Sequence, residues 1–347
     1  MGDWIKRMVG RCIRRGKIQG EIGDWTERMV ECLASEDVNG VRADEAIAIK
    51  YQNRARSVFK YRCNNEKSRY NLENDFVWVC SPTSYNDPFD SSISITPETL
   101  TTTVIQDGVR DFIAKELVSK VEAQKIEQIL NAPNPALALQ ELIMIEMDQV
   151  PQEHWARFRE PLAAQMKAWE EAFGRVLPAS HKDTLKVCSF SGTQYSIIMW
   201  SHYADQHRGF CIEYDTESLP SENLFMRMMY PVIYSEKLFD GTKYYLAAIR
   251  NQKTFNVLFP TLAALHKSPE WRYEKEWRLV IPANLVKEAS PWRVPTPKRV
   301  YLGSRMPDGE KDRIIEICKK KAIEFHQMRL ADDSFCLQSY PNVAPER

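Results

Sequence analysis

The sequence predicts an α+β fold. Strand candidates fall in two groups, one at 60–62 and 76–80, the other from 185 onward. A long block with helical periodicity, about 98–175, separates them. The order of elements is not the regular strand–helix alternation of a parallel α/β sheet.

The first elements are helical. Gly2-Asp3-Trp4-x-x-Arg7-Met8-Val9 is echoed by Gly23-Asp24-Trp25-x-x-Arg28-Met29-Val30. Asp before an apolar-periodic run is a good N-cap, so each copy predicts a short amphipathic helix with Trp, Met and Val on one face. A third helix is expected from about Ala43 to Phe59. Together these make an N-terminal helical extension, 1–58, ahead of an α+β domain of the catalytic type, 59–340. The extension reads either as helices packed on that domain or as a docking arm for a partner protein. Two copies do not make a solenoid.

Lys60-Tyr61-Arg62 opens the second unit as a strand, 66–74 as helical turns, and 76–80 as a second strand. Leu, Ile and Val then recur at helical spacing through 104–130 and 136–148, broken at Pro133, Pro135 and Pro151. Trp155, Phe158, Leu162, Met166, Trp169 and Phe173 continue the spacing and read as core. Strands return at 185–190, 209–214 and 230–235. A helix is expected over 241–265, strands over 276–281 and 299–303, and a helix from Asp308 to about Glu324. Weak strands at 326–330 and 335–340 close the chain.

Composition bounds the function. The 47 basic and 47 acidic residues cancel, so no global field draws the protein to nucleic acid or an anionic membrane. The basic runs Lys6–Lys17 and Lys319–Lys321 read as solvated helix faces. Eight cysteines include no C-x-x-C pair, which argues against a zinc ribbon or thioredoxin-like site. The opening MGDWIKRMVG lacks the apolar core of a signal peptide, and no window approaches the ~18 apolar residues of a membrane span. Reducing cytoplasm is the expected compartment, with no membrane partner. With no G-x-G-x-x-G and no P-loop, hydride transfer and ATP hydrolysis have no support.

Four clusters carry the polar chemistry. Lys60 and Arg62 project to one face of a strand and Tyr61 to the other, so two cations are offered to a phosphate or carboxylate. In "FVWVCSPTSYNDPFD", 76–90, a strand runs into Ser81, Thr83, Ser84, Asn86 and Asp87. That is more polar groups than a turn requires, and hydroxyls at a strand end are a common way to meet a ligand. In 197–215, Ser201, His202 and Tyr203 precede a Gly-led strand. His202 and His207 lack the i, i+4 spacing of a zinc helix, and a His among aromatics is more often a satisfied core residue. In "EWRYEKEWRLVIP", 270–282, alternation puts Glu274, Glu276 and Arg278 on one face and Trp277, Leu279 and Ile281 on the other. Such a face meets solvent, pairs internally, or lines a site.

These motifs resemble an uncharacterised bacterial family, domain of unknown function 2971. Its pattern is matched by Lys60-Tyr61-Arg62, by Ser81 to Asp90 with Tyr85 in the Phe place, by Met199 to Ala204, by Gly209 to Tyr214, and by Tyr273 to Leu279. The resemblance spans about 60–330 and leaves the segment before Lys60 outside it. A weaker resemblance is to ADP-ribosyltransferases of the Arg, Ser-x-Ser, Glu-x-Glu type. Arg62, Ser81-Pro82-Thr83-Ser84 and Glu274-Lys275-Glu276 occur in that order, although the gap from Arg62 to Ser81 is shorter than in the toxin enzymes.

The second resemblance implies a split mixed sheet and an NAD-consuming enzyme, a transferase or glycohydrolase, with a toxin or anti-phage defence role. NAD is the expected substrate and no metal is predicted. Glu276 would stabilise the charge that builds on the ribose, as in glycoside hydrolysis. Glu274 would orient an acceptor or water, with His202 a third catalytic candidate. Arg62 would grip the pyrophosphate, and Ser81, Thr83, Asn86, Asp87, Tyr203 and Arg278 would complete the nucleotide site. The target, protein or nucleic acid, is not specified. Two other readings stay open: a metal-dependent nuclease using Asp87, Asp90, Glu276 and His202, and a non-catalytic partner-binding protein.

Overall fold

The segments 185–191, 210–215 and 276–282 become strands buried on both faces, Glu213, Glu276 and Arg278 included, as expected for the middle of a covered sheet. The computed structural model describes residues 24–117, 122–147, 156–251, 253–286 and 288–341. The first echoed segment, 2–9, Pro151 and Trp155 lie outside them.

In chain order, α1 (Asp24–Leu33) and α2 (Ala43–Gln52) lead into β1 (Ser57–Arg62), α3 (Glu66–Glu73), β2 (Phe76–Val79) and β3 (Ile93–Ser94). The helical block follows: α4 (Pro97–Phe112), α5 (Ala123–Leu130), α6 (Pro135–Met147) and α7 (Ala156–Ser180). Then come β4 (Leu185–Ser191), α8 (Ile197–Tyr203), β5 (Phe210–Asp215), α9 (Leu224–Met228) and the short β6 (Met229–Pro231), β7 (Ile233–Tyr234) and β8 (Phe239–Asp240). Next are α10 (Thr242–Arg250), α11 (Phe259–Ala264), β9 (His266–Lys267), β10 (Glu276–Pro282) and β11 (Ser290–Arg293). The chain closes with β12 (Arg299–Leu302), α12 (Asp308–Lys320), β13 (Glu324–Leu330) and β14 (Leu337–Pro341).

Eight strands form one mixed sheet in the order β14-β13-β12-β5-β1-β4-β10-β6. Only the β12–β13 pair is parallel among its described ladders. One face packs Phe190, Tyr214, Trp277 and Leu279 against Ile314 and Cys318 of α12. On the other, Leu185, Val187 and Val280 meet Tyr244, Leu262 and Met29 of α1. Trp25 stacks on Trp277 at 6.3 Å, so the second echoed helix is packed on the sheet domain. The α4–α7 block keeps a small core of its own around Ile105, Val109, Ile129 and Leu139.

Three boundaries differ from expectation. The helix expected to reach Phe59 stops at Gln52, and Ser57–Arg62 is strand, paired with β5 from Ser57–Asp215 to Arg62–Phe210. The helix expected over 241–265 is two, because Asn256 turns inward and donates to the carbonyls of Leu33 and Ser35, both at 2.7 Å. The run 230–235 splits into β6 and β7, which join different sheets.

The described residues include no helix long and apolar enough to cross a membrane. Their cysteines are free thiols.

Candidate active site

β1 and β4 are neighbours that pair at Phe59–Ser191 and then part. Into the gap opens a cavity of about 360 Å³. Its walls come from the far half of β1 (Lys60, Arg62), from β4 (Ser189, Ser191), from Tyr203 of α8, and from Lys267, Glu274 and Glu276.

The acidic corner is a buried ion cluster. Glu276, 2 % exposed, accepts from Arg278 Nε at 2.8 Å through Oε1. Through Oε2 it accepts from Lys267 at 2.8 Å and Arg278 Nη2 at 3.1 Å. Glu274 accepts from Tyr203 Oη at 2.8 Å and from Lys267 at 2.7 Å. Arg278, fully buried, also reaches Asp90 at 2.6 Å. Three carboxylates meet two cations, so the cluster carries one excess negative charge. It separates the two glutamates. Burial raises the Glu274 carboxyl above the usual range, with the Glu276 charge adding to the effect against Lys267. Burial also pushes on Glu276, but Arg278 and Lys267 outweigh it and hold that carboxyl well below the usual range.

The cationic wall is not compensated in this way. Arg62 Nη2 is buried and hydrogen-bonds to nothing among the described residues. Lys60 Nζ donates to the Ser189 carbonyl across the gap. A buried guanidinium nitrogen without an acceptor, facing a cavity, points to an anionic ligand.

Most of the acidic corner falls in one sequence segment. Residues 199–279 match the family model described as a protein of unknown function, DUF2971. The resemblance drawn from the motifs holds over that segment, which carries Tyr203, Lys267, Glu274, Glu276 and Arg278. Asp90 joins the ion cluster, and Arg62 lines the cavity, from outside the matched residues. No curated protein and no solved structure matches the chain.

The structure brings together Arg62, Asn86, Tyr203, Glu274 and Glu276 as cavity lining. Arg278 stands behind Glu276. Ser81, Thr83, Asp87 and His202 do not line the cavity. Ser81 Oγ donates to the Lys182 carbonyl and Asp183, both at 3.1 Å, and caps a short turn. Thr83 donates to Ser81 Oγ at 2.8 Å. Asp87 accepts from Phe89 N–H at 2.8 Å, as a turn carboxylate does. The hydroxyl-rich strand end is thus consumed by local capping. His202 is exposed on α8; the buried His207, stacked on Trp200 at 6.1 Å, is the core histidine of that segment. Glu274 was expected on the strand, but it ends a 3₁₀ turn, and Lys275 at φ 47° swings the chain so that both glutamates meet Lys267. The expected gathering of Asp87, Asp90, Glu276 and His202 does not form. No group of three or more His, Cys, Asp or Glu among the described residues is placed for a metal.

Sequence reasoning missed three participants, Lys267, Ser189 and Ser191, and offered Asp90 only as a metal ligand. Lys267 and Asp90 complete the ion cluster. Ser189 and Ser191 lie on β4, between β1 and β10, with Ser191 opposite Glu276 and Ser189 opposite Arg278. The signal was present: Ser-Phe-Ser ends an apolar strand just before Gly192.

Proposed function

We propose that the cavity binds NAD and cleaves its nicotinamide–ribose bond, as an ADP-ribosyltransferase or NAD glycohydrolase does. One observation carries the reading. Three adjacent strands, β1, β4 and β10, present Arg62, then Ser189 and Ser191, then Glu276 to one cavity. That is the Arg, Ser-x-Ser, Glu-x-Glu order of the enzyme class, with Ser189–Ser191 in the role first given to Ser81–Ser84.

The chemistry follows from the two glutamates. Arg62 takes the diphosphate as an unpaired donor. Breaking the C–N bond sends its electron pair to nicotinamide and leaves positive charge on the ribose. Glu276, ionised and locked by Arg278 and Lys267, is a preorganised negative charge for that state. Oε1 keeps a lone pair for a ribose hydroxyl. Glu274 is the carboxyl whose proton is held more tightly, and it takes the proton from the attacking water or acceptor. A toxin or defence role rests only on analogy with that class.

The test is nicotinamide release from NAD by the purified chain. Glu276→Gln is expected to lower kcat by about 10²-fold or more, the cost of losing one well-placed electrostatic group. Absence of release from the folded wild-type chain overturns the reading.

A further inference from the structure

Lys60 is unlike the other amine of the cavity. Lys267 takes the ion pairs with Asp90, Glu274 and Glu276. Lys60 has no carboxylate in ion-pair range among the described residues; it donates to the Ser189 carbonyl and hydrogen-bonds to the Cys188 thiol. Its ammonium lies 5.5 Å from the centroid of the Phe190 ring, and it shares the cavity wall with Val187 and Cys188. Two residues on, Arg62 offers the guanidinium nitrogen that no group among the described residues satisfies. So one wall holds a lysine amine packed near the Phe190 ring beside a guanidinium placed to clamp an anion.

We propose that Lys60 forms an imine with a small carbonyl compound whose anionic group, phosphate or carboxylate, is held by Arg62. The step balances without oxidant or reductant. The lone pair of the neutral amine forms a bond to the carbonyl carbon. The oxygen then leaves as water with the two N–H hydrogens, and a C=N double bond remains. The amine must be neutral to start, and its setting favours that. Burial lowers the Lys60 pKa, Cys188 opposes the shift, Arg62 adds to it, and Glu276 opposes it. Desolvation beside a second cation is a recognised way to activate a lysine toward carbonyls. This inference does not need NAD cleavage to be correct, because its ligand is defined by a carbonyl and an anionic group alone.

The experiment uses pyridoxal 5′-phosphate as an anionic aldehyde, borohydride to fix the imine, and peptide mass spectrometry to find it. Each unit by which a lysine pKa falls makes the neutral amine about tenfold more abundant near neutrality. Lys60 is therefore expected to label severalfold faster than the exposed Lys319 at pH 7. Arg62→Ala is expected to slow labelling of Lys60 by pyridoxal 5′-phosphate severalfold more than labelling by phosphate-free pyridoxal, which loses only the contribution of Arg62 to the lowered Lys60 pKa. Equal labelling of Lys60 and Lys319, or no Lys60 adduct on a chain that melts normally, overturns the proposal. Loss of both reagents' labelling to the same degree in Arg62→Ala overturns the clamp.

Discussion

Lys50 tests how the buried charges of this protein are held. It is 2 % exposed on α2, donates to the Arg227 carbonyl at 2.7 Å, and lies over the Tyr230 ring at 3.8 Å. Burial, with Arg227 adding to it, lowers its pKa to about 7. An unfolded lysine titrates near 10.4, so between these values the unfolded chain binds more protons than the folded one. Stability contributed at this site therefore rises as pH climbs from about 7 toward 10. Lys50→Met removes the charge and keeps the volume. It is expected to stabilise the protein by about 1–3 kcal/mol at pH 6, after allowing about 1 kcal/mol for the lost hydrogen bond. The gap should close toward pH 10. Melting curves across pH check this, and a variant less stable than wild type at pH 6 would sink it. At the same scale, Arg62, Glu274 and Glu276 were legible as candidates because charged residues alternate with apolar ones on short strands. Lys267 was not, and Asp90 was read only as a metal ligand, not as a partner of Arg278. Their roles depend on which distant backbone segments meet, and no local pattern encodes that.

Elements tell a similar story through glycine. Gly209 sits where β5 leaves a turn in which Asp205, Gln206 and His207 all have positive φ. A Cβ there would fall 2.1 Å from the Arg62 carbonyl oxygen and 2.9 Å from that of Ala204. Both are backbone atoms that a rotamer change cannot move. Gly209→Ala must therefore push β5 off β1 at the Arg62–Phe210 pair and shift the cationic wall. A loss of about 2–3 kcal/mol is expected, with a lower melting temperature. Gly108 is the control. It lies exposed inside α4 with nothing within 4 Å of its Cβ position. The same substitution there should stabilise by about 0.5–1 kcal/mol. Like signs at the two positions would overturn the argument. The central strands were readable because each carries a short apolar stretch, such as Phe210–Ile212 or Leu279–Ile281. The break at Asn256 was not, because α10 and α11 share a helical pattern and the inward amide that divides them meets carbonyls more than two hundred residues away.

At the scale of the whole molecule, the question is whether the helical block and the sheet unfold together. The block's internal cluster is small, and it docks through α4 on α10 and a few polar contacts. Arg250 meets Asp107 at 2.7 Å on the surface, and Tyr245 donates to the Leu177 carbonyl at 3.1 Å. A surface pair of that kind contributes only about 0–1 kcal/mol, so the docking holds weakly against local opening. The sheet core is a separate and larger cluster that draws on α1, α11 and α12. Opening of the block alone is therefore expected below the global unfolding free energy. Ile129→Asp puts an unpaired carboxylate among Ile105, Val109 and Leu139, a change expected to cost about 3 kcal/mol or more. Hydrogen exchange should then speed through 97–180 while β4, β5 and β10 keep their protection. Loss of protection across the sheet as well would mean that the block is part of the same cooperative unit, and that the cavity between β1 and β4 depends on helices that never touch it.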